Sequence, residues 1–186
     1  QLHNLHRATG SHHHSTSTAG GTTPNRCYDL LSDADADWSK WHIYMGDERV
    51  LPFTNPERNS QALLIHWLKH NDVPVKQIHF MNTEAGIEKS AKAYAKLIAG
   101  IDTFDLCLLG MGEDGHTASL FPGHEGSDSV KPVGTDDLNS AEVIMEFDSP
   151  KPPAQRVSLN YPAFTKSEKL IKVCLLYTSP SPRDRY

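Results

Sequence analysis

His116 stands in the segment GMGEDGHTASLFPG, residues 110–123, directly after FDLCLL, the most continuously apolar stretch of the chain. A neutral imidazole is the side chain best suited to take a proton from water near pH 7, so His116 is the candidate general base of a hydrolysis. Two other readings of the same residues stay open. Glu113, Asp114 and His116 can be taken as a metal set, although no second His or Cys stands at ligand spacing. Asp114 with Gly115 can equally be a plain turn, with His116 capping the helix that follows. Ser119 lacks the G-x-S-x-G setting of an activated serine, and no His/Asp partners are identifiable for it, so a serine hydrolase is rejected.

Two further segments have anion-binding chemistry. GGTTP, residues 20–24, places Gly20, Gly21, Thr22 and Thr23 just before a helical stretch. Glycines let a backbone approach closely, and free N–H groups at a helix start point at an anion, which makes this a physically sensible phosphate cradle. Gly-Gly-Thr is also common in ordinary turns. GDER, residues 46–49, follows a short apolar run, at the end of a strand where ligands gather in open α/β sheets. Arg49 there can fork onto a phosphate or carboxylate, while an Asp-Glu-Arg cluster also reads as a surface ion network. His12, His13 and His14, adjacent and without a Cys or carboxylate partner, read as a polar run and are assigned no metal role.

The elements that must position these groups alternate in kind. A helix is expected over 25–31 and a strand over 41–45 (WHIYM). Asn55 and Pro56 suit the N-cap and first turn of a helix running to about 71, with Leu63, Leu64, Trp67 and Leu68 on one face. A strand follows at 77–81, then a helix over 84–99 with Ile87, Ala91, Tyr94, Ala95 and Ile98 on its apolar side. FDLCLL (104–109) has the composition of a strand covered on both faces. Residues 112–126 form a glycine-rich loop and 128–140 a polar, exposed one. Later strands are expected over 142–147, 156–159 and 170–176, the first two separated by the proline cluster SPKPP. This order predicts an α/β domain: an open, mostly parallel sheet with helices on both faces, Rossmann-like and three-layered.

Composition narrows the classes. The 186 residues, 38% hydrophobic and 22% charged, suit a single globular domain, and no run of eighteen apolar residues offers a membrane span. A net charge of −5 without a basic stripe argues against nucleic acid. Cys27, Cys107 and Cys174 are odd in number and far apart, which fits a reducing compartment. Residues 1–18, which do not begin with Met and contain no signal-peptide stretch, are expected to be a disordered or non-native leader. LLYTSPSPRDRY is expected to be foreign to the fold, its prolines at 180 and 182 stopping a strand that has only begun. The domain is thus expected over 19–174, incomplete at both termini, with 175–186 a non-native tail.

GMGEDGHTASLFPG, together with the upstream WSKWHIYMGDERVLP and GGTTP and the later RVSLN, resembles the 6-phosphogluconolactonase family, close to the glucosamine-6-phosphate isomerase/deaminases. The resemblance covers about 19–173. In the deaminases the loop histidine is typically followed by Ile-Ala-Phe-Asn-Glu-Pro; TASLFPG is similar to the lactonase version. The resemblance implies hydrolysis of 6-phospho-D-glucono-1,5-lactone to 6-phosphogluconate, without metal or organic cofactor. It implies that Gly20, Gly21, Thr22 and Thr23 hold the phosphate, that Arg49 and Arg156 supply positive charge, and that His116 activates water. Asp47 would orient Arg49 or His116, and Gly112 would belong to the substrate-binding loop. Asn59 falls near the family's Asp-x-x-Ser-Asn segment, but the chain reads NPERNS and lacks its acidic start. STSTAGG stands where the family has an apolar strand leading into Ser-Gly-Gly. The implied partner is a small sugar-phosphate lactone, with neither nucleic acid nor membrane, and the implied location is the cytoplasm or a plastid. Glucosamine-6-phosphate deamination, or sugar-phosphate binding without catalysis, are the alternatives.

Overall fold

The computed structural model describes residues 13–173. In chain order the strands are β1 (His14–Thr18), β2 (Trp41–Met45), β3 (Asp47–Arg49), β4 (Ile78–His79), β5 (Leu106–Gly110), β6 (Val130–Pro132), β7 (Val143–Glu146), β8 (Arg156–Leu159) and β9 (Leu170–Val173). The helices are α1 (Thr22–Ser32), α2 (Asn59–Leu63), α3 (Ile87–Ile98) and α4 (Tyr161–Thr165). Strands β4-β2-β1-β5-β9 form a parallel sheet and β3-β8-β7-β6 a separate antiparallel one. The expectation of one mostly parallel sheet is therefore corrected: 143–146 and 156–159 are strands, but of the antiparallel sheet.

The leader expected over 1–18 is also corrected from His14 onward. HSTST is entirely polar, yet β1 lies between β2 and β5, with Thr16, Ser17 and Thr18 buried. Its place is set by pairing on both edges, His14↔Trp41 through Thr18↔Met45 on one side and Thr16↔Leu106 on the other. Threonine suits a pleated strand without being apolar, and the Thr18 hydroxyl donates to Tyr44 O at 2.9 Å. Hydrophobic patterning cannot register such a strand. Residues 1–12 of that leader and the expected tail from 175 lie outside the described residues.

Side chains of β2 alternate between the two faces of the parallel sheet. Trp41 meets Trp38 and Trp67, with Tyr28 of α1 stacked on Trp67 at 5.9 Å between centroids. Tyr44, pointing the other way, meets Phe104 and stacks on His79. The Tyr94 hydroxyl of α3 donates to Met45 O at 2.8 Å and accepts from Met45 N at 2.7 Å. Strand β5 carries four consecutive buried residues, Leu106–Leu109, as its apolar run requires.

The helix expected to open at Asn55 begins four residues later. Residues 55–58 are a turn, closed by Arg58 N–H to Asn55 O at 3.1 Å. The start is set by tertiary contact: Glu48 Oε1 accepts the amide of Asn59 at 2.8 Å, and Oε2 accepts that of Ser60 at 2.9 Å. Arg58 folds inward onto the same carboxylate, Nε to Oε2 at 3.2 Å, with both side chains at most 1% exposed. After Leu63 the helix continues as a π-helical turn, Leu64–Leu68, in which Lys69 N bonds Leu64 O.

Replacing Arg58 by Met would leave the Glu48 carboxylate buried without its cation, a change that costs about 3–5 kcal/mol. Urea unfolding followed through tryptophan fluorescence should show that loss, and a loss under about 1 kcal/mol would mean the pair is not what anchors α2.

Candidate active site

A cleft of about 350 Å³ opens where the two sheets meet, at the C-terminal ends of β1, β2 and β5. All ten residues singled out from sequence lie around it: Gly20, Gly21, Thr22, Thr23, Asp47, Arg49, Asn59, Gly112, His116 and Arg156.

One wall is the start of α1, a helix of eleven residues that carries the partial positive charge of its N-terminus. Gly21 stands ahead of it, and no side chain caps it. Gly20 is pressed against Asn59: a Cβ there would fall 2.1 Å from Asn59 Oδ1, so only glycine lets α1 and α2 approach this closely.

The second wall is cationic. Antiparallel pairing of β3 with β8 puts Arg49 directly opposite Arg156. Like charges so placed repel unless an anion is shared between them. Arg156, 3% exposed, donates to the carbonyls of Lys151 (2.8 Å) and Pro153 (3.2 Å) and lies over the Phe121 ring at 5.6 Å. Burial, with Arg49 nearby, lowers its pKa from the ordinary arginine value against the opposing pull of Asp47 and Glu146. Arg49 donates through Nη1 to Glu57 O, while its buried Nε has no partner among the described residues. A buried, unpaired guanidinium N–H is costly unless something supplies an acceptor. Lys151 adds a third cation to the cleft.

The third wall is the loop after β5. His116 Nδ1 bonds Asp114 Oδ1 at 2.5 Å, and its ring leans on Phe121 at 4.7 Å. Nε2 is thus the nitrogen left for the cleft. The bond to His116 lowers the pKa of Asp114, which suits an acceptor for Nδ1–H. Gly112 lies beneath the imidazole, where a Cβ would come within 2.2 Å of His116 Cε1. Asp47, expected to orient Arg49 or His116, makes no direct hydrogen bond to His116. Its Oδ1 accepts from Asn59 Nδ2 at 2.8 Å and its Oδ2 from Ser119 Oγ at 2.7 Å, and Asp114 is the carboxylate that holds His116.

Sequence reasoning missed Lys151, Asp114 as the partner of His116, and Ser119 as an anchor. Lys151 had a faint signal, a lone cation in SPKPP just before the Arg156 strand. The other two had none, since Asp114 reads as a turn residue and the partner of Ser119 is 72 positions away. Among the described residues no group of three or more His, Cys, Asp or Glu is arranged to hold a metal ion. Nor is any helix long and apolar enough to cross a membrane.

The fold and cleft define an α/β protein in which a helix start, two arginines in register and a histidine line one cleft. The family model described as glucosamine-6-phosphate isomerases/6-phosphogluconolactonase matches residues 3–177, and the chain belongs to that family. It is 35% identical over 189 residues to the GDH/6PGL endoplasmic bifunctional protein of Oryctolagus cuniculus, covering 96% of this chain and 22% of that protein. With the 6-phosphogluconolactonase of Synechocystis it shares 39% identity over 113 residues, 56% of this chain and 47% of the other. The crystal structure of 6-phosphogluconolactonase from Thermotoga maritima superposes with a TM-score of 0.77 at 26% identity, over 92% of this chain and 73% of that one. The chain thus spans less than half the length of either of these two sequence relatives.

With the Asp114 carboxylate in place, neutral His116 keeps its proton on Nδ1. Asp114→Asn should shift the tautomer population toward Nε2–H, read directly in the imidazole ¹⁵N chemical shifts. Unchanged shifts would show that Asp114 does not set the tautomer.

Proposed function

We propose that the protein hydrolyses 6-phospho-D-glucono-1,5-lactone to 6-phosphogluconate, with His116 as general base. The observation that carries this is the facing of His116, held by Asp114 through Nδ1, and an anion site made of the α1 start with Arg49 and Arg156 in register. The phosphate sits against Gly20, Gly21, Thr22 and Thr23, where backbone N–H groups and the helix dipole favour a dianion. Arg49, Arg156 and Lys151 supply counter-charge, and Asn59 and Gly112 shape the binding surface beside the phosphate and the base.

His116 Nε2 takes a proton from water as its oxygen forms a bond to the lactone carbonyl carbon. The charge that develops on the carbonyl oxygen is met by Arg49 or by backbone N–H groups. Collapse breaks the bond to the ring oxygen, which receives the proton from the imidazolium and becomes a hydroxyl. The carboxylic acid so formed ionises and releases a proton to solvent, which completes the step with water, substrate and one histidine, so this reading needs no metal or organic cofactor. For location we assign the cytoplasm, with a plastid as the alternative that the relatives named chloroplastic suggest and an endoplasmic setting as the one named for others.

The test is proton release from the lactone, compared with spontaneous opening, because the substrate hydrolyses unaided. His116→Gln should remove about 10²–10⁴-fold of the acceleration, the usual worth of a general base, while the thermal unfolding midpoint stays put. Full activity in that variant would end the assignment. Ammonia release from glucosamine 6-phosphate would instead mark a deaminase, and binding of 6-phosphogluconate without turnover a non-catalytic binder.

A further inference from the structure

We propose that Ser119 is a positioning residue, and that Ser119 and Asp47 form a latch fixing the His116 loop at a set distance from the anion site. The proposal rests on the lactonase reading for its kinetic consequence, but its geometry stands apart from it. Asp47 is 4% exposed and each of its carboxylate oxygens is engaged from a different direction. Oδ1 takes Asn59 Nδ2 of α2, and Asn59 in turn lies against Gly20 at the start of α1. Oδ2 takes the hydroxyl of Ser119, fully buried in the loop that carries His116. The Ser119 amide bonds Ser158 Oγ at 3.2 Å, on β8, and Ser158 is the residue paired opposite Asp47. The loop is therefore fastened to two neighbouring strands at one residue.

Between His116 and this anchor the chain is constrained on every side. Gly112 N–H donates to His116 O at 2.9 Å, and the Thr117 hydroxyl donates to Gly110 O at 2.7 Å. Ala118 is held at φ 49°, the one non-glycine residue with positive φ among those described. An alanine leaves that conformation when it is free to do so. The Ser119 anchor immediately after it opposes the relaxation. Release of the latch would let residues 117–119 relax and carry the imidazole with them, and a displacement of about 1 Å at a reacting group costs roughly 10²-fold in rate. The phosphate site, built on α1 and the arginines, would stay where it is. A latch of this kind affects turnover and leaves binding alone.

The experiment compares the full chain with Ser119→Ala and Ser119→Cys by amide hydrogen exchange and by lactone kinetics. Ser119→Ala should speed exchange at residues 117–120 at least about tenfold while β8 amides are unchanged. It should lower kcat about 10- to 100-fold with KM altered less than about threefold and the pH dependence unmoved. Ser119→Cys, which keeps a weak donor, should recover part of both effects. Unaltered exchange in the 117–120 segment would overturn the latch, as would a kcat loss matched by an equal loss of folded protein. If the wild type does not hydrolyse the lactone, the functional reading fails, and the exchange result still decides whether the latch exists.

Discussion

Gly46 is the hinge on which the architecture turns. Its N–H donates to Thr18 O at 2.8 Å and its carbonyl accepts from Leu159 N at 2.7 Å, so one residue joins the end of β1 to the antiparallel sheet. The chain leaves β2 at Met45 and enters β3 at Asp47 with only this residue between. Separating the two sheets at this point breaks one or the other of these bonds. The end of β1, which leads into the Gly20 loop, is consequently fixed beside Asp47 and Arg49. The α1 start and the two arginines thus meet at a junction held by main-chain hydrogen bonds.

Charge on the antiparallel sheet follows from the same register. Arg49, Arg156 and Glu146 form one row across β3, β8 and β7. Glu146, fully buried, accepts from His124 Nδ1 at 2.9 Å and from the Asp148 amide at 2.8 Å, and its charge favours the Arg156 cation. Arg156 is thus flanked by an anion on one side and by a like charge on the other. On the cleft side Asp47 favours the Arg156 cation and opposes the effect of Arg49. Exposed arginines would relieve such a conflict by swinging apart into water, but Arg156 is held by three carbonyls of the 151–153 segment. Arg156 therefore stays opposite Arg49.

What the sequence made legible was the chemistry more than the topology. The glycine-rich histidine loop, GDER and GGTTP are local motifs, and local motifs are readable because neighbours along the chain carry their meaning. The apolar strands 41–45 and 106–110 were equally legible, since burial on both faces leaves a compositional trace. Strand β1 was not: its Thr and Ser residues are buried by pairing and by hydroxyl bonds to main chain, neither of which alters hydropathy. Helix α2 was displaced from Asn55 to Asn59 because its cap is Glu48, eleven positions earlier than Asn59 and invisible to a rule that looks for the cap in the adjacent residue. Strand β6 was hidden in the polar 128–140 segment, where three residues pair with β7 without an apolar run.

Four carboxylates near the cleft show how the same functional group is put to different uses by its surroundings. Glu48 is enclosed with Arg58 and two α2 amides and serves the fold alone. Glu146 is buried on β7 opposite Arg156 and accepts from His124 and the Asp148 amide. Asp47 is buried between Asn59 and Ser119, with both oxygens occupied, and is thereby removed from direct contact with the base. Asp114 is the one on an exposed loop: its side chain is 38% exposed, and Lys151 Nζ lies 3.9 Å from the oxygen that holds His116. In the proposed hydrolysis the base accepts a proton and then gives it back, and Asp114 is the carboxylate beside it throughout. A solvated carboxylate, screened by water and shared with a lysine, attracts a neighbouring cation more weakly than a buried one does. The arrangement thus assigns buried carboxylates to geometry and leaves the exposed one to work with the histidine.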